Sequence, residues 1–222
     1  MAKLFLQRHL KSQWNLEDRY AGWVDNPLSD EGLAMADDVA KLLQGETFDV
    51  IFTSPLSRNQ QTTLEILKRL GLKPLFMHLD GGKRQEWGHF EGDNGTCVPA
   101  YVSEKINERY YGKLQGLNKE ESKKTYGEDQ VKLWRRSWDI QPPEGESLKD
   151  TFERTIPFFK EFIEPKLKEG KNVLVVSSGN SLRSIVKHIE NITDDKIIEY
   201  EIKFGGLVKY EFDGLGGTYV KL

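Results

Sequence analysis

Apolar and polar positions along the chain switch between two periods. Residues 3–7 form a short apolar run that stops at Arg8-His9, the pattern of a buried strand. Ser29-Asp30-Glu31 then opens a stretch in which Leu33, Ala36, Val39, Ala40 and Leu43 recur at helical spacing, up to Gly45. A capping serine, two acids at the positive end of the dipole and a closing glycine predict a helix here. FDVIFTS, 48–54, is a second apolar run leading into Ser54-Pro55, a cap followed by proline at the first helical position. That helix runs to Gly71, and LKPLFMHL, 72–79, reads as a third strand. Residues 80–105 are rich in glycine, show no period and read as a long surface excursion. Helical patterns return at 119–138 and at 147–168, the latter opened by Ser147 with Asp150 three residues on. KNVLVVSS, 171–178, is a strand that turns directly into GNSLRSIVKHIE, and LVKYEF and TYVKL form a hairpin around DGLGG. Strands alternating with helices predict one α/β domain over 1–222, a three-layer α/β/α sandwich with a mostly parallel sheet.

Composition narrows the choice of function. Lysine and arginine number 32 against 35 acids, a net charge of −3, which argues against a nucleic-acid or membrane-surface role. No run is long enough for a transmembrane helix, no signal peptide is visible and the single cysteine, Cys97, excludes an internal disulfide. A cytoplasmic protein, monomer or homodimer, is the expectation. Four histidines leave little for a metal site. His89, Glu91, Asp93 and Cys97 are ligand types, but their spacing fits no standard zinc pattern, so no metal is assigned.

In parallel α/β sheets, ligands collect beyond the carboxyl ends of the strands. Three strand-to-helix junctions here carry polar residues: Arg8-His9 with Ser12 and Asn15, Ser54 with Arg58, and Ser178-Gly179-Asn180. Helix N-termini and arginine forks both suit phosphate. Two arginines and a histidine at such junctions point to a phosphoryl site with the histidine as nucleophile. A capping Arg-His pair and a solvated Arg58 are the bland alternatives.

The stretches RHLKSQWN, GWVDNPLSDEG, FDVIFTSPLSRNQQT, NERYYGKLQGLNKEE, YGEDQVKLWRRSWDIQPP, GESLKDTFER and NVLVVSSGNSLRSIVKHIE resemble the histidine phosphatase superfamily, in particular its 2,3-bisphosphoglycerate-dependent phosphoglycerate mutase branch. The resemblance implies a phosphoglycerate mutase-like fold and phosphoryl transfer through a phosphohistidine, primed by 2,3-bisphosphoglycerate without a metal. It implies His9 as nucleophile, Arg8, Arg58 and Asn15 as phosphate ligands, and Glu108 as general acid/base. Tyr111, Lys119, Arg135 and Arg136 would hold the substrate's carboxylate and second phosphate, with Gly22 and Asn180 lining the pocket.

Departures from the family pattern concentrate around the same residues. Leu10 stands where the family has glycine, and Ser178 where it has the second histidine of the catalytic pair. Gln13 replaces glutamate, Ala21 threonine and Asn59 a small alanine, while the segment with Lys203 and Phe204 replaces Pro-Thr-Gly. Leu10 is expected to crowd the anion, and Ser178 to donate more weakly to a transferring phosphoryl group. RQEWGHFEGD faintly resembles a segment of more distant superfamily phosphatases, which makes Glu86 a rival to Glu108. Impaired mutase activity is the resulting expectation. The alternatives are a non-catalytic phospho-ligand binder, or a diverged or engineered pocket that takes another small ligand.

Overall fold

The computed structural model describes residues 1–92, 94–214 and 216–222. The strands are β1 (Ala2–Arg8), β2 (Val50–Thr53), β3 (Lys73–His78), β4 (Cys97–Val102), β5 (Val173–Ser177), β6 (Leu207–Asp213) and β7 (Thr218–Lys221). They form one sheet in the order β3-β4-β2-β5-β1-β6-β7. The first five in that order are parallel, while β6 pairs antiparallel with β1 and β7 with β6.

The helices are α1 (Gln13–Leu16), α2 (Asp30–Ala34), α3 (Ala36–Leu42), α4 (Ser57–Arg69), α5 (Gly82–Gly88), α6 (Lys119–Tyr126), α7 (Glu128–Arg136), α8 (Leu148–Phe158), α9 (Glu164–Lys168), α10 (Gly179–Glu190) and α11 (Asp194–Ile197). Helices cover both faces of the central strands, which is why β2 and β5 are buried throughout and apolar but for Thr53 and Ser177 at their ends. Leu4, Leu6, Phe52, Val173 and Val175 face a layer built by Ile156, Phe159, Leu182 and Ile185 of the α8 and α10 side. Phe5, Ile51, Leu174 and Val176 face the opposite layer, with Val39, Leu43, Ile66 and Leu67 of α3 and α4.

The sequence reading needs two corrections. Residues 80–105 are not one surface excursion. Cys97–Val102 is β4, hydrogen-bonded between β2 and β3, and Gly82–Gly88 is α5. Pro99, a single apolar face and flanking glycines hid the strand, whose stability comes from neighbours distant in sequence. Two long helices are also interrupted. The 119–138 pattern breaks at Gly127, with φ of 85°. The 147–168 pattern passes through a π-helical turn at Phe159–Ile163. That turn lies between Pro157 and Pro165, which remove backbone donors from the ladder.

The parallel strands β1, β2 and β5 end at the same edge. His9, Ser54 and Ser178 therefore meet there, as the chain leaves each strand for its next helix.

Candidate active site

Beyond that edge lies a cavity of about 200 Å³. Among the described residues its lining includes seven arginines (8, 19, 58, 109, 135, 136 and 183) and Lys119, against two acids, Glu108 and Glu201. Such an excess of positive charge in a protein of net charge −3 defines an anion site.

His9 sits at its floor, 2 % exposed. Its backbone N–H donates to the Ser177 carbonyl at 3.0 Å, which ties it to the end of β5. The ring Nδ1 lies 2.6 Å from the Leu10 carbonyl. A carbonyl only accepts, so Nδ1 carries the proton and Nε2 keeps its lone pair. Burial, then the Arg58 and Arg8 guanidinium groups, hold the His9 pKa well below the ordinary histidine value. The imidazole is therefore neutral near pH 7.

The two arginines flank it differently. Arg58, in the first turn of α4, is 1 % exposed and donates to the carbonyls of Val24 at 3.1 Å and Gly22 at 2.7 Å. Burial pushes its pKa down to about 10, so it stays cationic. Arg8 donates to the Ile202 carbonyl at 2.5 Å and lies over the Phe204 ring, 3.9 Å from its centroid. The Nε donors of Arg8, Arg58, Arg109 and Arg183 are all buried without a partner. Unmet buried donors are costly, and all four arginines line this one cavity.

Glu108 follows from the opposite wall. Its Oε1 accepts from the Arg109 backbone N–H at 2.7 Å and from Asn180 Nδ2 at 2.6 Å. Asn180 Nδ2 also lies 3.3 Å from the Tyr111 hydroxyl, while its Oδ1 accepts from Arg183 at 3.1 Å. The Glu108 Oε2 has no hydrogen-bond partner among the described residues and is the oxygen left for a ligand. Gly22 has φ of +51°, and a Cβ there would fall 2.2 Å from Gln115 Oε1. A side chain there would be strained by the left-handed φ and would have to displace Gln115, and its carbonyl is one of the two that hold Arg58.

Every residue expected to act in the site lines this cavity: Arg8, His9, Asn15, Gly22, Arg58, Glu108, Tyr111, Lys119, Arg135, Arg136 and Asn180. Asn15 is fixed by a capping box with Ser12, Lys119 pairs with Asp18, and Arg136 pairs with Glu201 at 3.7 Å. The departures divide. Ala21 and Phe204 line the cavity. Leu10, Gln13, Asn59, Ser178 and Lys203 do not, and the expectation that Leu10 crowds the anion is corrected. Leu10 is fully buried in the layer with Val39 and Leu43, beside Gly205, and its φ is not positive. Its backbone N–H donates to Thr62 at 3.0 Å, so the side chain points away from His9 into the core. Gln13 is exposed and bonds Glu17, and Lys203 is exposed. Asn59 and Ser178 are fully buried together, Nδ2 to Oγ at 3.2 Å.

No described residue of 80–105 lines the cavity, and Glu86 is exposed on α5. His89 pairs with Glu91 at 3.1 Å, Cys97 lies in β4 and Asp93 is outside the described residues. Among the described residues no group of three or more His, Cys, Asp or Glu side chains is placed to hold a metal. Sequence reasoning missed Arg19, Tyr20, Arg109, Arg183, Tyr200, Glu201 and Ile202 of the lining. Arg183 was findable: it stands three residues after Asn180 on one helix, hence on the same face. Burial and its arginine neighbour Arg109 push its pKa down to about 10.

A strand-end histidine flanked by buried arginines on a parallel sheet suits a phosphoryl-transfer class of protein. Comparison with known proteins agrees. The sequence model of the histidine phosphatase superfamily (branch 1) matches residues 4–97 and 88–222, and the chain belongs to that superfamily. It is 42% identical over 217 residues to a 2,3-bisphosphoglycerate-dependent phosphoglycerate mutase of Protochlamydia amoebophila, covering 96% of each chain. It is 44% identical over 218 residues to the one of Methanococcus vannielii, covering 97% of this chain and 93% of that one. Among solved structures, one titled Mycobacterial hydrolase 1 shares the fold, with a TM-score of 0.78 at 17% identity over 100% of this chain and 97% of that one.

Proposed function

We propose that the chain transfers phosphoryl groups through His9 Nε2 on a small phosphorylated carboxylate, in the manner of a 2,3-bisphosphoglycerate-primed phosphoglycerate mutase. The observation that carries the reading is the fixed tautomer of His9 beside buried guanidinium groups. A neutral Nε2 attacks the phosphorus, the N–P bond forms as the P–O bond breaks, and Arg8 and Arg58 meet the charge on the equatorial oxygens. Glu108 Oε2 exchanges the proton of the substrate hydroxyl, held in aim by Arg109 and Asn180 through Oε1. Lys119, Arg135 and Arg136 take the carboxylate and second phosphate.

Ser178 favours a slower enzyme than one with a second imidazole at this position, because its hydroxyl is buried against Asn59 outside the lining and a developing oxyanion gains no imidazole donor there. A pocket rebuilt for an unrelated ligand has less in its favour, since five of the seven departures lie outside the lining.

Incubation with 2,3-bisphosphoglycerate is expected to add one acid-labile phosphate to His9, seen by mass spectrometry, and His9→Gln to abolish it with fold and phosphate binding retained. Labelling that persists in His9→Gln sinks the reading.

The depressed His9 pKa gives a second expectation. Above about pH 6.5 the folded and unfolded chains both carry a neutral imidazole. As the pH falls below that value the unfolded chain gains a proton that the folded one refuses, so stability is lost toward acid. Over the same window the folded protein keeps its nucleophile, and single-turnover labelling should persist below pH 6.5. A labelling rate that halves at pH 6.5 contradicts this.

A further inference from the structure

Among the described residues four serines stand at α-helix N-caps, and one behaves unlike the rest. Ser12, Ser29 and Ser147 each accept from the backbone N–H three residues on, the ordinary use of a capping serine. Ser178 has the extended cap conformation at the start of the 12-residue α10 but caps nothing. Its Oγ accepts instead from Asn59 Nδ2 at 3.2 Å, and the same Nδ2 is anchored on Ser54 Oγ at 2.6 Å. All three side chains are fully buried.

The consequence falls on the α10 N-terminus. The backbone N–H groups of Gly179, Asn180 and Ser181 have no acceptor among the described residues, and Gly179 and Asn180 line the cavity. The Arg8 guanidinium lies against Gly179, 3.2 Å from where a Cβ would stand. Arg58, 1 % exposed with its Nε unpartnered, lines the same space. Had Ser178 capped its own helix, the Ser181 N–H would be spent and a serine oxygen would hold an acceptor's place beside the anion.

The geometry points to Asn59 as a positioning residue that keeps α10 uncapped for the phosphoryl group by drawing off the Ser178 hydroxyl. The inference rests on the phosphoryl reading above, and goes beyond it by giving a role to a residue outside the cavity. Asn59 does not touch the ligand. It acts through Ser178, from the far side of the cavity floor.

The test is a double-mutant cycle read with inorganic phosphate by calorimetry and, without ligand, by amide hydrogen exchange at Ser181. Asn59→Ala is expected to weaken phosphate binding about five- to tenfold, the worth of one capping bond, and to slow exchange at Ser181. Adding Ser178→Ala removes the competing cap and should return both readouts toward the parent values. A side chain that merely fills space predicts the opposite: weakened binding without rescue, and no change in exchange. Either of those outcomes overturns the inference. Asn59→Leu, close in volume and lacking the donor, is read in the same way should the alanine variant prove too unstable. If the parent protein bound no phosphate, the phosphoryl reading would fall, and exchange at Ser181 would still decide whether Asn59 holds the cap open.

Discussion

A Leu10→Gly variant is expected to lose about 2.5–6 kcal/mol of stability and to gain no phosphate affinity. The family pattern invites the opposite thought, that glycine would reopen space beside His9. The structure places the Leu10 side chain in the apolar layer between the sheet and α3, fully buried. Truncating a buried leucine costs the lost transfer energy plus the cavity left behind, about 2–5 kcal/mol. Glycine adds backbone entropy of roughly 0.5–1 kcal/mol. The Leu10 carbonyl also holds the His9 Nδ1 proton, so a loosened backbone at this point blurs the tautomer. Urea unfolding of the two proteins measures the difference, and a loss below about 1 kcal/mol would place the side chain somewhere other than the core.

The larger functional gain is expected from Asn59→Ala combined with Ser178→His. Asn59 and Ser178 touch in a fully buried space, so an imidazole at 178 meets the asparagine amide unless that residue is shortened. Ser178→His alone should therefore destabilise the protein with little benefit, since overpacking a filled site costs about 1–3 kcal/mol. With both changes, the imidazole finds room and can donate to the transferring oxygens, a contribution on the order of 10²–10³ in rate. Single-turnover phosphorylation of His9 by 2,3-bisphosphoglycerate is the measurement. Equal rates for the double variant and the parent would show that the two residues do not occupy the missing donor's place.

Much of the site was legible because chemistry-bearing residues sit at strand ends. Arg8-His9, Ser54 through Arg58 and Ser178 through Asn180 announce three junctions, and the fold brings them to one edge. Caps were legible too, since Ser29 and Ser147 bond as their sequence contexts suggest. What stayed hidden depends on direction or distance. Whether Leu10 faces the anion or the core is set by how the chain turns after β1, and no periodicity extends over a single residue. The Asn59–Ser178 contact spans 119 positions, and β4 earns its place only through partners on both sides. Arg109 and Arg183 look like surface charges until the burial of their guanidinium groups is seen.

The sheet order also bears on how the molecule is made. β1 is made before the other six strands, yet its two neighbours are β5 and β6, and its register runs from Leu4 beside Val173 to Ala2 beside Phe212. For most of synthesis this apolar strand has both edges unsatisfied, and pairings so remote in the chain close slowly. A nascent β1 is thus exposed to wrong partners for longer than any other strand. Because its C-terminal end leads into Arg8 and His9, a stalled or truncated chain lacking residues beyond 172 would hold both on a strand that cannot dock.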